Sequence, residues 1–296
     1  MKPRSSADAT HHALARIRRR RVFNVLGWTI SVLAFVLLAL AIADLLYLVM
    51  HKGASSLSLD LFTQVTNGIG GGLANAITGT GLLAGGALLL AAPLGIGTGI
   101  YLSEFGRGRW GHAVRFWADV LVGVPSIVLG YFGYITMVIA FGWNFSLAAG
   151  AITLAIMMVP YIARTTDLAL RQVPFGVREA AYALGAQDWR VSLRVVLPAG
   201  APAVLTGILL ALAIGMGETA PLLYTAGWSN YLWNGNLTHE PVGYLTYVIW
   251  TFINEPFASA HRLAFAAALL ITALVLLINV LARLLLTGFS RRLGAR

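Results

Sequence analysis

The sequence holds no cysteine. A disulfide framework and a thiolate metal site are both excluded. Lysine is nearly as scarce: only Lys2 and Lys52 occur, and neither stands in a G-x-x-x-x-G-K-[ST] run. The chain therefore has no P-loop with which to cradle the phosphates of ATP. The histidines, His11, His12, His51, His112, His239 and His261, are scattered without ligand spacing, so neither a metal nor a cofactor is expected. No repeat with a period of about 20 to 50 residues is visible, which argues against a solenoid. Charge is thin as well, at 11% of 296 residues, against 58% hydrophobic residues. A soluble domain of this length could not hide so much apolar surface, and composition assigns the chain to a membrane.

What is present is a series of long apolar runs. Six can cross a hydrocarbon core, which takes about 20 helical residues. They cover residues 25–50, 76–101, 120–142, 146–163, 203–225 and 263–286, the fourth being the shortest. The expected architecture is an all-α, polytopic membrane protein of six transmembrane helices. With the N-terminus inside, the cytoplasmic segments hold 7 Lys+Arg before the first run, 3 after the second, 5 after the fourth and 4 from Arg283 onward, leaving only Lys52 and Arg262 outside. That asymmetry follows the positive-inside rule and predicts cytoplasmic N- and C-termini. It also disfavours nucleic acid as a partner, because the basic residues are divided among four segments and form no single patch. The expected parts are a basic tail at 1–24, a first span at 25–50, an outer loop at 51–75, a core at 76–286 and a cytoplasmic tail at 287–296. Within the core, 164–201 forms an inner loop and 226–262 an outer one.

Two N-proximal features have simpler explanations than their appearance suggests. The run "RRRRVFNVL" with Ala39-Leu40-Ala41 has the look of a cleavable signal, but its apolar stretch is too long for a signal h-region and five more spans follow. "NGIGGG" at 67–72 reads as a flexible approach to the second span, with no strand before it to make a phosphate loop.

The polar segment "REAAYALGAQDWRVSLRVVLPAG" at 178–200 interrupts the apolar pattern. Pro174 suits a first helical turn, and good helix formers continue to a C-capping Gly185. Asp188 can cap a second helix that sets Trp189, Leu193 and Leu197 on one face and Arg190 and Arg194 on another, closed by Pro198. An ordinary loop and a docking surface built on Ala180, Ala181 and Ala183 beside Glu179 both fit these residues.

The spacing Glu179-Ala180-Ala181, three residues, Gly185, nine residues, Val195, one residue, Leu197-Pro198 resembles the EAA loop of ABC importer permeases, with valine at 195 where isoleucine is usual. "GETAPLL" at 217–223, "GVPSIVLG" at 123–130, "VPYIARTTD" at 159–167, "REAAYALG" at 178–185 and "INVLAR" at 278–283 are similar to the PstA-type permeases of phosphate importers, over roughly 71–286. The resemblance implies the type I ABC importer permease fold in a bacterial inner membrane, without enzymatic activity of its own. It further implies a heterodimer with a companion permease, a cytoplasmic ATPase dimer, an extracytoplasmic phosphate-binding protein, and phosphate as the transported solute. Glu179, Ala180, Ala181, Gly185, Leu197 and Pro198 would be the ATPase-coupling residues. Sulfate and molybdate permeases share the machine. A secondary transporter and a docking scaffold without flux are further alternatives that the residues leave open.

Pathway candidates follow from polar groups inside apolar runs. Glu218, next to Thr219, costs about 2.5 to 3.5 kcal/mol at a span centre, so it should face the bundle interior or water. It can serve as a structural carboxyl paired with an arginine, or act on the pathway itself. Arg164 is the candidate counter-charge, and with Thr165 and Thr166 it offers donors for an anion; it can equally mark the boundary by snorkelling. Pro125 and Ser126 suggest a broken third helix. Relatives of this type often carry arginine four residues before the glutamate of "GET"; Ile214 stands there, and the companion permease would have to supply that charge. The aromatics of 226–262 read as an interfacial belt and as a surface for a binding protein.

Overall fold

The computed structural model describes the backbone of residues 6–294 and the side chains of residues 19–284. The side chains of the expected tails before and after those limits lie outside the described residues. The chain divides into two units, residues 1–51 and 52–296. The first consists of most of helix α1 (Ser6–Ala54), whose apolar stretch holds the first predicted span.

The second unit continues with α2 (Leu59–Thr63) and a two-residue hairpin, β1 (Thr66–Asn67) against β2 (Gly70–Gly71). The glycine run is thus an ordered turn and no flexible lead-in. The buried Thr66 hydroxyl donates to the Gly72 carbonyl at 2.9 Å; Asn75 of the next helix accepts from the Thr66 N–H at 3.0 Å through its Oδ1 and donates to the Ser229 carbonyl at 2.8 Å, which ties the hairpin to a distant loop. Helix α3 (Ala74–Ile100) follows, then a π-helical turn Tyr101–Phe105, α4 (Arg109–Gly123), α5 (Ser126–Gly133) and a second π-helical stretch Tyr134–Ala140. Next come α6 (Leu147–Arg171), α7 (Phe175–Ala183), α8 (Asp188–Val191) and a third π-helical turn, Ser192–Val196. The chain ends with α9 (Leu197–Gly217), α10 (Ala220–Thr225), α11 (Leu245–Phe252) and α12 (Ala258–Gly294).

Among the described residues five helical stretches are long and apolar enough to cross a membrane, and a bent pair of helices makes six if the pair is counted as one span. The predicted third span, 120–142, falls across that pair, Arg109–Gly123 with Ser126–Ala140, and takes in only the last turn of α4: the chain turns by 97° between α4 and α5, at Val124 and Pro125. Proline has no N–H to continue the helix and biases its predecessor to extended backbone, so the break falls where the sequence places it. The predicted fifth span, 203–225, is interrupted too. Glu218 is extended at ψ 135, and α9 stops at Gly217. The fourth, expected to end at 163, continues to Arg171 and is the most buried of the spans.

Lipid tails are as apolar as leucine, so helices in a bilayer hold together by close fit more than by escape from solvent. Helix α6 supplies that fit at the centre. Leu154, Met158 and Ile162 pack with Leu83, Ala87 and Ala91 of α3, and Gly95 and Gly99 of α3 lie directly against Ile162 and Thr166. On the other side α9 and α12 meet through Ala213, Met216, Ala264, Ala267 and Ile271.

Candidate functional site

Two places carry the polar chemistry: the α7–α8 segment at one end of the bundle, and the paired helix breaks within it.

Pro174 precedes α7 as its N-cap, outside the first turn where the sequence placed it. The helix ends in a Schellman motif: the Ala186 N–H donates to the Ala181 carbonyl at 3.2 Å and the Gly185 N–H to the Tyr182 carbonyl at 2.9 Å. Gly185 sits at φ +76°, a conformation open to glycine at no steric cost, which explains why the motif has glycine at that distance from Glu179. Glu179 and Ala180 are exposed, Ala181 is buried against the body, and Leu184 beside the turn is 88% exposed. Burial, then the adjacent Asp188 carboxylate, raises the Tyr182 phenol above its ordinary value, so it stays protonated.

The second helix differs from its sequence reading in three respects. Gln187, not Asp188, is the N-cap. Arg190 and Arg194 do not take a face away from Trp189; both guanidinium groups lie over its ring, at 5.2 and 5.9 Å. The residues turned inward are Val191, Ser192 and Val196, leaving Trp189 and Leu193 exposed. Pro198 does not close the helix either. The chain runs from Asp188 to Gly217 without a break, and Leu197 and Pro198 form the first turn of α9. The π-helical turn Ser192–Val196 widens the hydrogen-bonding register just ahead of a residue that has no N–H to give, and so carries the helix through it.

Behind α7 lies a network that the sequence reading did not assign. Arg178 donates from Nη2 to Glu104 Oε1 at 2.9 Å and from Nε to Glu104 Oε2 at 3.2 Å. It also donates to the Leu170 carbonyl in the last turn of α6, at 2.9 Å, and to the Val173 carbonyl just beyond that helix, at 2.6 Å. The pair is largely buried, with side-chain exposures of 13% for Arg178 and 9% for Glu104. Asp167 forms a second node, accepting from Arg171 Nε at 2.7 Å and Arg115 Nε at 3.3 Å. Both of those arginines also donate to the Leu102 carbonyl. The last carbonyls of a helix lack partners within it, and here guanidinium forks supply them. The Asp167–Arg171 spacing was a visible i,i+4 signal. Nothing local marked Glu104, whose partner is 74 residues away.

The breaks come together. Gly130 of α5 packs against the backbone of Pro221 in α10, which brings Ser126, the first residue of α5, near the Glu218 side chain. Glu218, Thr219 and Ser126 are half-buried, and the Thr246 hydroxyl of α11 donates to the Glu218 carbonyl at 2.8 Å. Thr219 makes no side-chain cap. Among the described residues no cation forms an ion pair with Glu218. Arg164, its expected counter-charge, pairs instead with Asp119, both groups being exposed. Thr165 packs against Gly207 and the buried Thr166 against Gly99, so successive residues of one helix point to different neighbours and do not converge with Arg164. In the loop before α11, Tyr244 is buried and Trp228 stacks on Tyr247 at 4.6 Å; these aromatics pack inside the body, whereas Tyr231 and Trp250 stay exposed.

Residues 91–295 match the family described as the binding-protein-dependent transport system inner membrane component. The chain belongs to that family. Curated relatives include the phosphate transport system permease protein PstA 2 of Mycobacterium tuberculosis (strain CDC 1551 / Oshkosh), 46% identical over 93% of this chain and 91% of that one. PstA of Yersinia pestis is 48% identical over 81% and 82% of the two chains, and PstA of Haemophilus influenzae 39% over 90% and 94%. Among solved structures, the inward-facing MetNI methionine ABC transporter in its CY5 native crystal form superposes with a TM-score of 0.62, at 19% identity, covering 73% of this chain and 95% of that one. That likeness shows a shared ABC importer permease fold. The family member described here is a multi-pass inner-membrane protein and a transport component rather than an enzyme, the translocating part of a complex of permease, ATPase and binding protein.

Proposed function

We propose that this chain is the permease subunit of an ATP-driven importer of inorganic phosphate. The observation that carries the reading is the match, over more than nine-tenths of both chains, to a relative named as a phosphate transport permease. It forms half of the translocation pathway, and a companion permease completes a heterodimer. The α7–α8 segment docks on a cytoplasmic ATPase dimer: Glu179 and Ala180 are exposed, and Leu184, Trp189 and Leu193 of the same segment expose apolar surface. Ala181, Gly185, Leu197 and Pro198 set the shape of that surface. Both termini and residues 164–201 lie on the cytoplasmic side, as the distribution of arginines favours. An extracytoplasmic phosphate-binding protein delivers the solute at the 226–262 loop.

The paired breaks are the pathway candidate, with Ser126, Glu218 and Thr219 facing it and Arg164 at its inner mouth. Helix ends opened inside a bundle free backbone groups for a solute, which suits a translocation route. Thr165 and Thr166 back the wall through their contacts with α9 and α3. The deciding experiment is radiolabelled phosphate uptake by vesicles containing this chain, its companion permease, the ATPase and the binding protein, with sulfate and molybdate as competitors. ATP-dependent uptake that ignores both competitors and vanishes without this chain is expected. Transport of another anion would keep the machine and discard the substrate, and uptake without the ATPase would discard the machine.

A further inference from the structure

Helix α7 touches the rest of the body with little apolar surface, since Ala181 is its one buried residue. Its ties are ionic. Arg178, the residue before Glu179, reaches inward with its whole fork engaged: two bonds to Glu104, one to the Leu170 carbonyl in the last turn of α6 and one to the Val173 carbonyl just beyond it. Glu104 is held in turn by the Ser103 hydroxyl at 2.8 Å, within the π-helical turn that ends α3. From there α3 and α6 are locked together by Gly95 against Ile162 and Gly99 against Thr166. The far end of α3 bonds the α11 region, where the Thr80 hydroxyl accepts from the Leu245 N–H at 2.9 Å, next to the threonine that holds the Glu218 carbonyl. The α8 side of the segment has a different exit, the uninterrupted helix into α9 that ends at Glu218.

We infer that Arg178 and Glu104 are positioning residues for coupling: a two-pronged strut that carries displacement of α7 into the α3–α6 pair while α8 carries it into α9. The paired breaks are thereby worked from two sides. A strut of this kind needs both prongs, because a single hydrogen bond lets the partners pivot, whereas a planar fork on a carboxylate fixes distance and angle together. Lysine at 178 would keep the charge and lose the geometry.

The inference rests on the coupling role proposed above for Glu179 and its neighbours, and the experiment separates the two. The complete transporter is reconstituted with the unaltered chain, with Arg178→Lys, with Glu104→Gln, and with Glu179→Ala as the mark of a lost docking contact. Three quantities are read: co-purification of the ATPase, ATP hydrolysis, and phosphate taken up per ATP. For R178K and E104Q we expect intact co-purification, hydrolysis within about twofold of the unaltered chain, and uptake per ATP lower by about tenfold. Unchanged uptake per ATP in either assembled variant overturns the strut. A loss confined to Glu179→Ala leaves the docking role standing without it.

A second measurement covers variants that fold poorly. The chain has no cysteine, so Glu104→Cys with Arg178→Cys introduces its only thiols. A short, reducible bifunctional thiol reagent joining them should restore uptake per ATP, and reductant should abolish it again. If the joined pair assembles and hydrolyses ATP but stays uncoupled, or if the pair couples fully without being joined, the strut is wrong. If the double variant assembles only when joined, the two residues are a folding contact, and the inference fails on that result as well.

Discussion

Helices α3 and α6 are held differently along their length. In the last two turns of α3 they meet by shape, with Gly95 and Gly99 admitting Ile162 and Thr166 to backbone contact through groups that carry no charge. One turn further, the same helices are joined by charge, where Arg115, Arg171 and Arg178 converge on Asp167, Glu104 and a set of freed carbonyls. The first kind of contact tolerates no added volume and is indifferent to polarity. The second tolerates changes of volume but depends on which atoms carry protons and charge. A membrane bundle needs the first where lipid surrounds it and can use the second only where water is near.

The contrast can be broken at three strengths. Gly99→Leu should have the largest effect, because the new side chain meets Thr166 and the Ala163 carbonyl at once; we expect a loss of roughly 3 kcal/mol or more, read as failure to accumulate in the membrane or a collapsed melting profile in detergent. Asp167→Asn keeps the volume and removes the charge shared by two arginines. With Arg171 half exposed, the cost should be about 2 kcal/mol, below that of severing a fully buried pair, and visible as a lower melting temperature of the purified protein. Asp119→Ala sharpens the comparison from the other end: its pair with Arg164 is exposed on both sides and should contribute within about 0.5 kcal/mol, vanishing in high salt. A cost for Asp119→Ala equal to that of Asp167→Asn would show that burial does not set the worth of these pairs.

Much of this fold was legible because a membrane forces long apolar runs on the sequence: four of the six runs fall on one continuous helical stretch each, and the other two fall on broken ones. What the runs could not show is where a helix outlasts its apolar part. Helix α6 continues past 163 because Asp167 and Arg171 satisfy each other across one turn and the helix end is capped by Arg178. Nor could they show where an apolar stretch breaks: Pro125 announced its break, but the one at Glu218 has no proline until Pro221 and is stabilised by a threonine from another helix. Of the candidate site, the turn at Gly185 was readable from local chemistry. The packing of Gly130 on Pro221 and the grip of Arg178 on Glu104 were not, since each joins residues far apart in the chain.

The bond from Thr246 to the Glu218 carbonyl also says something about time. Its two ends lie 28 residues apart, acceptor first, and a ribosome delivers them in that order. When residues 197–225 leave the ribosome, the group that ties their bend has not yet been made. The break can be fastened only after the chain through α11 has arrived, so this bend is tied later in synthesis than the α3–α6 packing, whose residues all precede it.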